Sequence, residues 1–259
     1  MSETSKLGKI QLLQHNCARS YEVMQSCLNS AYTNTDIVLI QEPWILSNQN
    51  ITLSHPAFTY ILPQAQANKR ARVAVFISKN ATQLICTPRP DIIDDVDVLA
   101  LSISAPGLSE TLLLNVYNEK SQEENSNEYT VERTLTQLQL PARAVVCGDF
   151  NAHHSWWHST VTTSLRATNL IQWINHQHCD LVNIPDMITR TSSAFPHTTS
   201  VLDLTFATRG CIENIVDWQV NEEEDTGSDH EIIQFSLLTE DTEFVESSFS
   251  SPFNVNKAD

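Results

Sequence analysis

The chain has 259 residues, 41% of them hydrophobic, which suffices for a packed core in one large domain or two small ones. No apolar run approaches the roughly 20 residues of a membrane span, and the first residues lack the apolar segment of a secretory signal, so the expected setting is the nucleus or the cytoplasm. With 31 acids against 15 lysines and arginines the formal charge is −16, which excludes a broad basic groove of the kind that neutralises many phosphates at once.

In chain order, residues 10–16 read as a first strand and 20–32 as a helix, with Val23, Cys27, Leu28 and Ala31 at helical spacing. Residues 37–42 form a second strand that ends at Pro43. Further strands are expected at 73–77, 82–86, 98–104 and 111–117, then a helix over 127–138. The apolar run at 143–149 breaks at Gly148 and delivers Asp149 and Asn151 at its end. A helix over 165–176 and strands at 181–184, 202–208, 215–220 and 231–238 complete the list. Many strands with few interspersed helices and no βαβ regularity after residue 43 point to an α/β (α+β) protein, two packed sheets covered by helices. The folded unit is expected to span residues 7–238, with 1–6 and the Ser/Glu/Asn-rich 239–259 as disordered tails.

The six cysteines, Cys17, Cys27, Cys86, Cys147, Cys179 and Cys211, stand singly. That spacing argues for buried free thiols rather than a disulfide framework or a structural zinc site. The acids gather at 119–132, 222–225 and in the tail, where solvated loops account for most of them.

Polar residues stand where strands end: Asn16, Glu42, Tyr117, Asp149 with Asn151, and Asp229-His230 before the last strand. Asp203 interrupts the apolar run 201–206, where a carboxylate is costly unless a partner uses it. Taken one at a time these are ordinary strand exits, because Asp and Asn favour turns. In this order the motifs Gln14-His-Asn16, Leu39-Ile-Gln-Glu42, Asn115-Val-Tyr117, Gly148-Asp-Phe-Asn151, Leu202-Asp203-Leu and Ser228-Asp-His230 resemble the endonuclease/exonuclease/phosphatase superfamily, the deoxyribonuclease-I-like fold. Within it, Ile40-Gln-Glu-Pro-Trp44 and the run from Gly148 through His153-His154 to Trp157 are most similar to the apurinic-type endonuclease domain of fungal non-LTR retrotransposons.

The resemblance implies two mostly antiparallel sheets in a sandwich flanked by helices, a four-layer α/β/β/α arrangement. It implies a metal-dependent phosphodiester hydrolase, an endonuclease that nicks one DNA strand to leave a 3′-hydroxyl and a 5′-phosphate for reverse transcription. Mg²⁺ (or Mn²⁺) is the expected cofactor, with Glu42, Asn16 and Asp229 as metal ligands, since hard cations take carboxylate and amide oxygens. Asp149 is expected to handle the attacking water, Asn151 and Tyr117 to donate to phosphate oxygens, and His230, paired with Asp203, to stabilise the phosphorane. Asp149 and His230 remain alternatives for the base. DNA is the expected partner, with a reverse transcriptase domain in the parent element, no membrane, and a monomeric state. Ala18 and Asn118-Glu119-Lys120 depart from the apurinic-type repair enzymes, so abasic-site specificity is not carried over.

Lys69, Arg70 and Arg72, within the only compact basic cluster of the sequence, read either as a solvated loop or, in the family reading, as contacts to the DNA backbone. Trp156 and Trp157 are expected to pack beneath the site loop. His153, His154 and His158 lack the further ligands of a zinc site. Two other readings stay open: a phosphodiesterase or phosphatase of the same fold acting on RNA or lipid-type substrates, and a catalytically idle retroelement remnant.

Overall fold

The computed structural model describes residues 8–46, 50–64, 69–123, 126–192, 194–221 and 226–239. The acidic run 222–225, Asn68 and the two segments expected to be tails, apart from Thr239, lie outside the described residues. No described helix is long and apolar enough to cross a membrane.

The described residues form sixteen strands. The first sheet contains β1 (Lys9–Asn16), β2 (Ile37–Gln41), β5 (Phe58–Ile61), β6 (Val73–Ser78), β15 (Ile215–Asn221) and β16 (Ile232–Leu238), in the order β15-β16-β1-β2-β6-β5. The second contains β7 (Ile85–Pro88), β8 (Val98–Ala105), β9 (Leu108–Tyr117), β10 (Ala144–Asp149), β11 (Cys179–Leu181) and β14 (Asp203–Thr208), in the order β11-β14-β10-β9-β8-β7. Two short ribbons, β3 (Ile45–Leu46) with β4 (Ile51–Thr52) and β12 (Arg190–Thr191) with β13 (Thr199–Ser200), project from loops. Among the described strands only the β1–β2 and β9–β10 pairs are parallel, so both sheets are mostly antiparallel.

The central strands are apolar at successive positions, without interruption in the first four residues of β2 and of β10, because each buries both faces. In β1 and β2, Ile10, Leu12, Ile37 and Leu39 point into the layer between the sheets, while Leu13, Val38 and Ile40 pack on helix α1 (Tyr21–Ala31). In β10, Val145 and Cys147 face the other sheet, while Ala144 and Val146 pack with helix α3 (Leu165–His176). The result is the expected four layers, helix on sheet on sheet on helix. Ser20 and Ser164 cap the two long helices by accepting hydrogen bonds from Val23 and Ala167.

Three expectations are corrected. The helix expected over 127–138 is only one turn, α2 (Thr130–Arg133), followed by a 3₁₀ turn at Leu135–Gln137. Thr134 leaves helical geometry and donates through its hydroxyl to Asp95 at 2.9 Å, a local bond that outcompetes helix continuation. The strand expected at 82–86 begins at Ile85, because 78–84 forms successive turns that sink Ala81 and Leu84 into the inter-sheet core. The strand expected at 181–184 is β11, shifted towards the N-terminus.

Gly148 lets β10 run close to β9. A Cβ there would stand 1.8 Å from the carbonyl oxygen of Val116, and its φ of +152° is one that side chains rarely adopt. All six cysteines are free, and all but the half-buried Cys86 are buried.

Candidate active site

The topology brings the polar strand ends to one edge. β1 and β2 run parallel, so Asn16 and the residue after Gln41 emerge together; β9 and β10 do the same for Tyr117 and Asp149. β14 runs antiparallel to β10, so its first residue, Asp203, lies directly opposite Asp149. His230 leads into β16 from the neighbouring sheet.

Asp149 is almost fully buried. It accepts from the side-chain amide of Asn16 at 3.0 Å and from the backbone N–H of Asn151 at 2.9 Å. His230 Nδ1 lies 2.8 Å from Asp203 Oδ2, and its Nε2 stands 3.9 Å from both Asp149 Oδ2 and Asp229 Oδ1. Thr189 Oγ1 accepts from the Asp203 amide at 3.1 Å, and Ser228 Oγ accepts from the His230 amide at 3.1 Å. Asp203 Oδ1 is buried with no hydrogen-bond partner. Asp149, Asp203 and His230 are the group of potential ligand atoms close enough together to hold a cation among the described residues.

Glu42 follows β2 in a left-handed conformation, φ +46°, which turns its side chain to the same edge. Tyr117 donates to its Oε1 at 2.8 Å, and Arg19 Nε lies 2.6 Å from its Oε2. Asn151, also left-handed at φ +48°, donates from its side chain to the carbonyl of Asn118 at 3.3 Å. Asp229 accepts from Arg190 at 2.5 Å.

Electrostatics separate these groups. Burial, and after it the charge of Asp203, raises the Asp149 carboxyl above the ordinary range. Burial and then Glu42 push the Tyr117 phenol far above its ordinary value, so it remains a proton donor. For His230, burial would lower the pKa, but Asp203 first and then Asp149 and Asp229 reverse this and raise it to about 9.

That shift predicts a pH dependence of stability. A folded pKa above the unfolded value means that the contribution is fully present below about pH 6.5 and is lost as the pH rises through about 9. Urea unfolding of protein kept in chelator should therefore show stability falling across this window by on the order of 2–3 kcal/mol. His230→Gln should flatten the slope; an unchanged slope in that variant would show that His230 is not its source.

Other site candidates are placed as follows. Lys69 is paired with Glu123 at 2.8 Å, and the Arg70 backbone exchanges hydrogen bonds with the Gln122 side chain. Arg72 turns inward to buried Asp97 rather than out to solvent. Trp157 is wholly buried and donates to the Ala152 carbonyl under the site loop at 3.1 Å, whereas Trp156 is exposed. Sequence reasoning missed Arg19, Arg190, Arg166 and Asn118. Arg166 donates to the Asn151 carbonyl at 3.1 Å and stacks on Tyr129, and Asn118 holds the Phe150 carbonyl at 2.8 Å. None belongs to a motif, and no periodicity marks where their side chains point.

The family model for endonuclease-reverse transcriptase matches residues 111–234, a span that holds Tyr117, Asp149, Asn151, Asp203 and His230. No curated protein matches the chain. Among solved structures, the endonuclease domain of TRAS1, a telomere-specific non-LTR retrotransposon, is similar with a TM-score of 0.71 and 21% identity, covering 88% of this chain and 98% of that one. The AP endonuclease LMAP from Leishmania major has a TM-score of 0.62 and 14% identity over 89% of this chain and 88% of its own. The 3′ phosphatase NExo from Neisseria, bound to product DNA hairpin, has a TM-score of 0.59 and 15% identity over 88% of this chain and 99% of its own. Residues 111–234 thus match the endonuclease-reverse transcriptase family model, and the two mostly antiparallel sheets between helices, with polar strand ends gathered at one edge, give the chain the fold that these endonuclease and phosphatase structures share.

Proposed function

We propose that the protein is a divalent-metal-dependent DNA endonuclease that nicks one strand, leaving a 3′-hydroxyl and a 5′-phosphate, and that the nick serves a reverse transcriptase of the parent retroelement. The observation that carries this reading is the placement of Asp149, held by Asn16 on one side, 3.9 Å from His230 Nε2 on the other, and opposite Asp203 across the ladder. A buried carboxylate beside an Asp-supported histidine is an arrangement for moving a proton at a reacting oxygen.

Glu42, Asn16 and Asp229 would hold the cation. Their donor set, two carboxylates and an amide oxygen, suits a hard ion such as Mg²⁺ or Mn²⁺. The bound ion would supply Lewis-acid stabilisation of charge on the phosphate. The side chains do the rest. Asp149 takes the proton of the attacking water; its raised pKa brings it nearer to a working base at neutral pH. Asn151 and Tyr117 donate to phosphate oxygens as charge develops. His230, held protonated by Asp203, adds a cationic donor at the same edge.

Supercoiled plasmid incubated with Mg²⁺ should relax to open circles whose ends carry 3′-hydroxyls. No nicking with either Mg²⁺ or Mn²⁺ across a range of salt would refute the endonuclease reading. Because one structural relative is titled a 3′ phosphatase, an oligonucleotide with a 3′-phosphate belongs in the same assay. Phosphate release without nicking would reassign the substrate while keeping the site.

A further inference from the structure

Arg19 is the unusual member of the site edge. Its side chain is 77% exposed, yet its Nε lies 2.6 Å from Glu42 Oε2. The backbone that puts it there departs from ordinary geometry: Ala18 at φ +49° and Arg19 at φ +59° are consecutive left-handed residues without being glycine, and Glu42 opposite them is left-handed as well. Such residues persist where surrounding bonds fix them, and they cluster at functional sites. Here the bonds are explicit. The Cys17 amide donates to the Gln41 carbonyl at 2.9 Å, the Ala18 amide to Asn16 Oδ1 at 2.9 Å, and the Arg19 amide to the Glu42 carbonyl at 2.8 Å, before Ser20 caps α1. The loop between β1 and α1 is thus tied by two bonds to the end of β2 and by one to Asn16, and its exposed guanidinium rests on Glu42.

A guanidinium and a divalent cation on the same carboxylate oxygen repel each other and compete for its lone pairs. Tyr117 occupies Oε1 with a neutral donor, which can share its oxygen with a cation. The charged donor on Oε2 has to move. Held by one exposed ion pair, Arg19 is weakly retained and has a long side chain with which to swing outward. Its fork of N–H donors suits a phosphate.

We propose that Arg19 is a positioning residue that couples metal binding to capture of the substrate strand: it caps Glu42 until a cation takes the carboxylate, then transfers its guanidinium to a phosphate of the nucleic acid. Each ligand thereby strengthens the other, because the cation displaces the arginine that the phosphate then accepts. This rests on the reading of Glu42 as a metal ligand, and the experiment separates the two claims.

Mn²⁺ binding to the full chain is measured by calorimetry, alone and with a nuclease-resistant phosphorothioate DNA duplex, for wild type, Arg19→Ala, Arg19→Lys and Glu42→Gln. In wild type the duplex should tighten Mn²⁺ binding. Arg19→Ala should bind Mn²⁺ alone roughly threefold more tightly, the scale of an exposed ion pair. It should bind the duplex about tenfold more weakly, the scale of a charge-assisted hydrogen bond, and lose most of the coupling. Arg19→Lys keeps the charge without the fork and should restore the weaker Mn²⁺ binding but only part of the duplex affinity. Unchanged Mn²⁺ affinity and unchanged coupling in Arg19→Ala, with binding abolished in Glu42→Gln, would overturn the proposal for Arg19 and leave the metal site standing. Undiminished Mn²⁺ binding in Glu42→Gln would overturn the metal assignment and the proposal with it.

Discussion

Asp149→Asn is expected to slow strand cleavage by about a thousandfold while leaving the protein folded. The substitution is isosteric, and the amide keeps an oxygen to accept from the Asn151 N–H. It removes the lone pairs that would take a proton from water. On stability two effects oppose: the substitution removes a carboxylate that burial and Asp203 disfavour in the folded protein, but it also removes the attraction to His230 Nε2, 3.9 Å away, and sets a new amide donor against the side-chain amide of Asn16. Nicking rates and urea midpoints measured together check both halves. His230→Asn is the companion variant. If the histidine is the base, the thousandfold loss belongs to that variant, and Asp149→Asn retains cleavage within about tenfold of wild type.

The parts of this arrangement legible in the sequence were those where one residue type admits one explanation. Asp203 breaks an apolar run, and a carboxylate in that position required a partner; the partner is His230, 27 residues further along the chain and in contact across the edge of the sandwich. The strands before Glu42 and Asp149 were readable because each buries both faces and shows as an uninterrupted apolar run, and those ending at Asn16 and Tyr117 as apolar clusters with few polar interruptions. β5 was not readable. It is an edge strand of four residues with two exposed side chains, and neither its length nor its pattern differs from that of a loop.

Loop cations were illegible for another reason. Periodicity carries no information about where an arginine between two elements points, and the conformation that places Arg19 on Glu42 depends on left-handed residues that nothing in Cys17-Ala-Arg-Ser20 announces. The basic cluster shows the converse. Lys69, Arg70 and Arg72 look alike in sequence, but Arg72 occupies the last position before β6 and is drawn beneath the site edge by an acid 25 residues further along the chain.

That acid, Asp97, is where the largest loss of stability is expected. It is fully buried and receives two guanidiniums, Arg72 through Nε at 2.5 Å and through a second contact, and Arg133 through Nη2. Burial pushes the Asp97 carboxyl up, with Arg72 pulling it back; burial would lower Arg72, yet Asp97 holds it raised. With two guanidiniums on one carboxylate, the ionised form is the one that satisfies every donor. Asp97→Ala would leave Arg72 only the Lys120 carbonyl and Arg133 the Asp95 carboxylate and the Glu119 carbonyl, on side chains that are 20% and 14% exposed, and should cost about 3 kcal/mol, the lower end of breaking a buried ion pair from one side. The effect should reach the chemistry as well. The Arg72 carbonyl accepts from the Glu42 amide at 2.9 Å, and the Asp97 carbonyl accepts from the Tyr117 amide at 2.9 Å, so the network supports the backbone of two residues whose side chains meet at the site edge. Urea unfolding gives the stability change, and Mn²⁺ affinity of the variant below its melting range gives the effect at Glu42. A loss smaller than about 1 kcal/mol would mean that water replaces the carboxylate and that the network contributes no more than a surface ion pair.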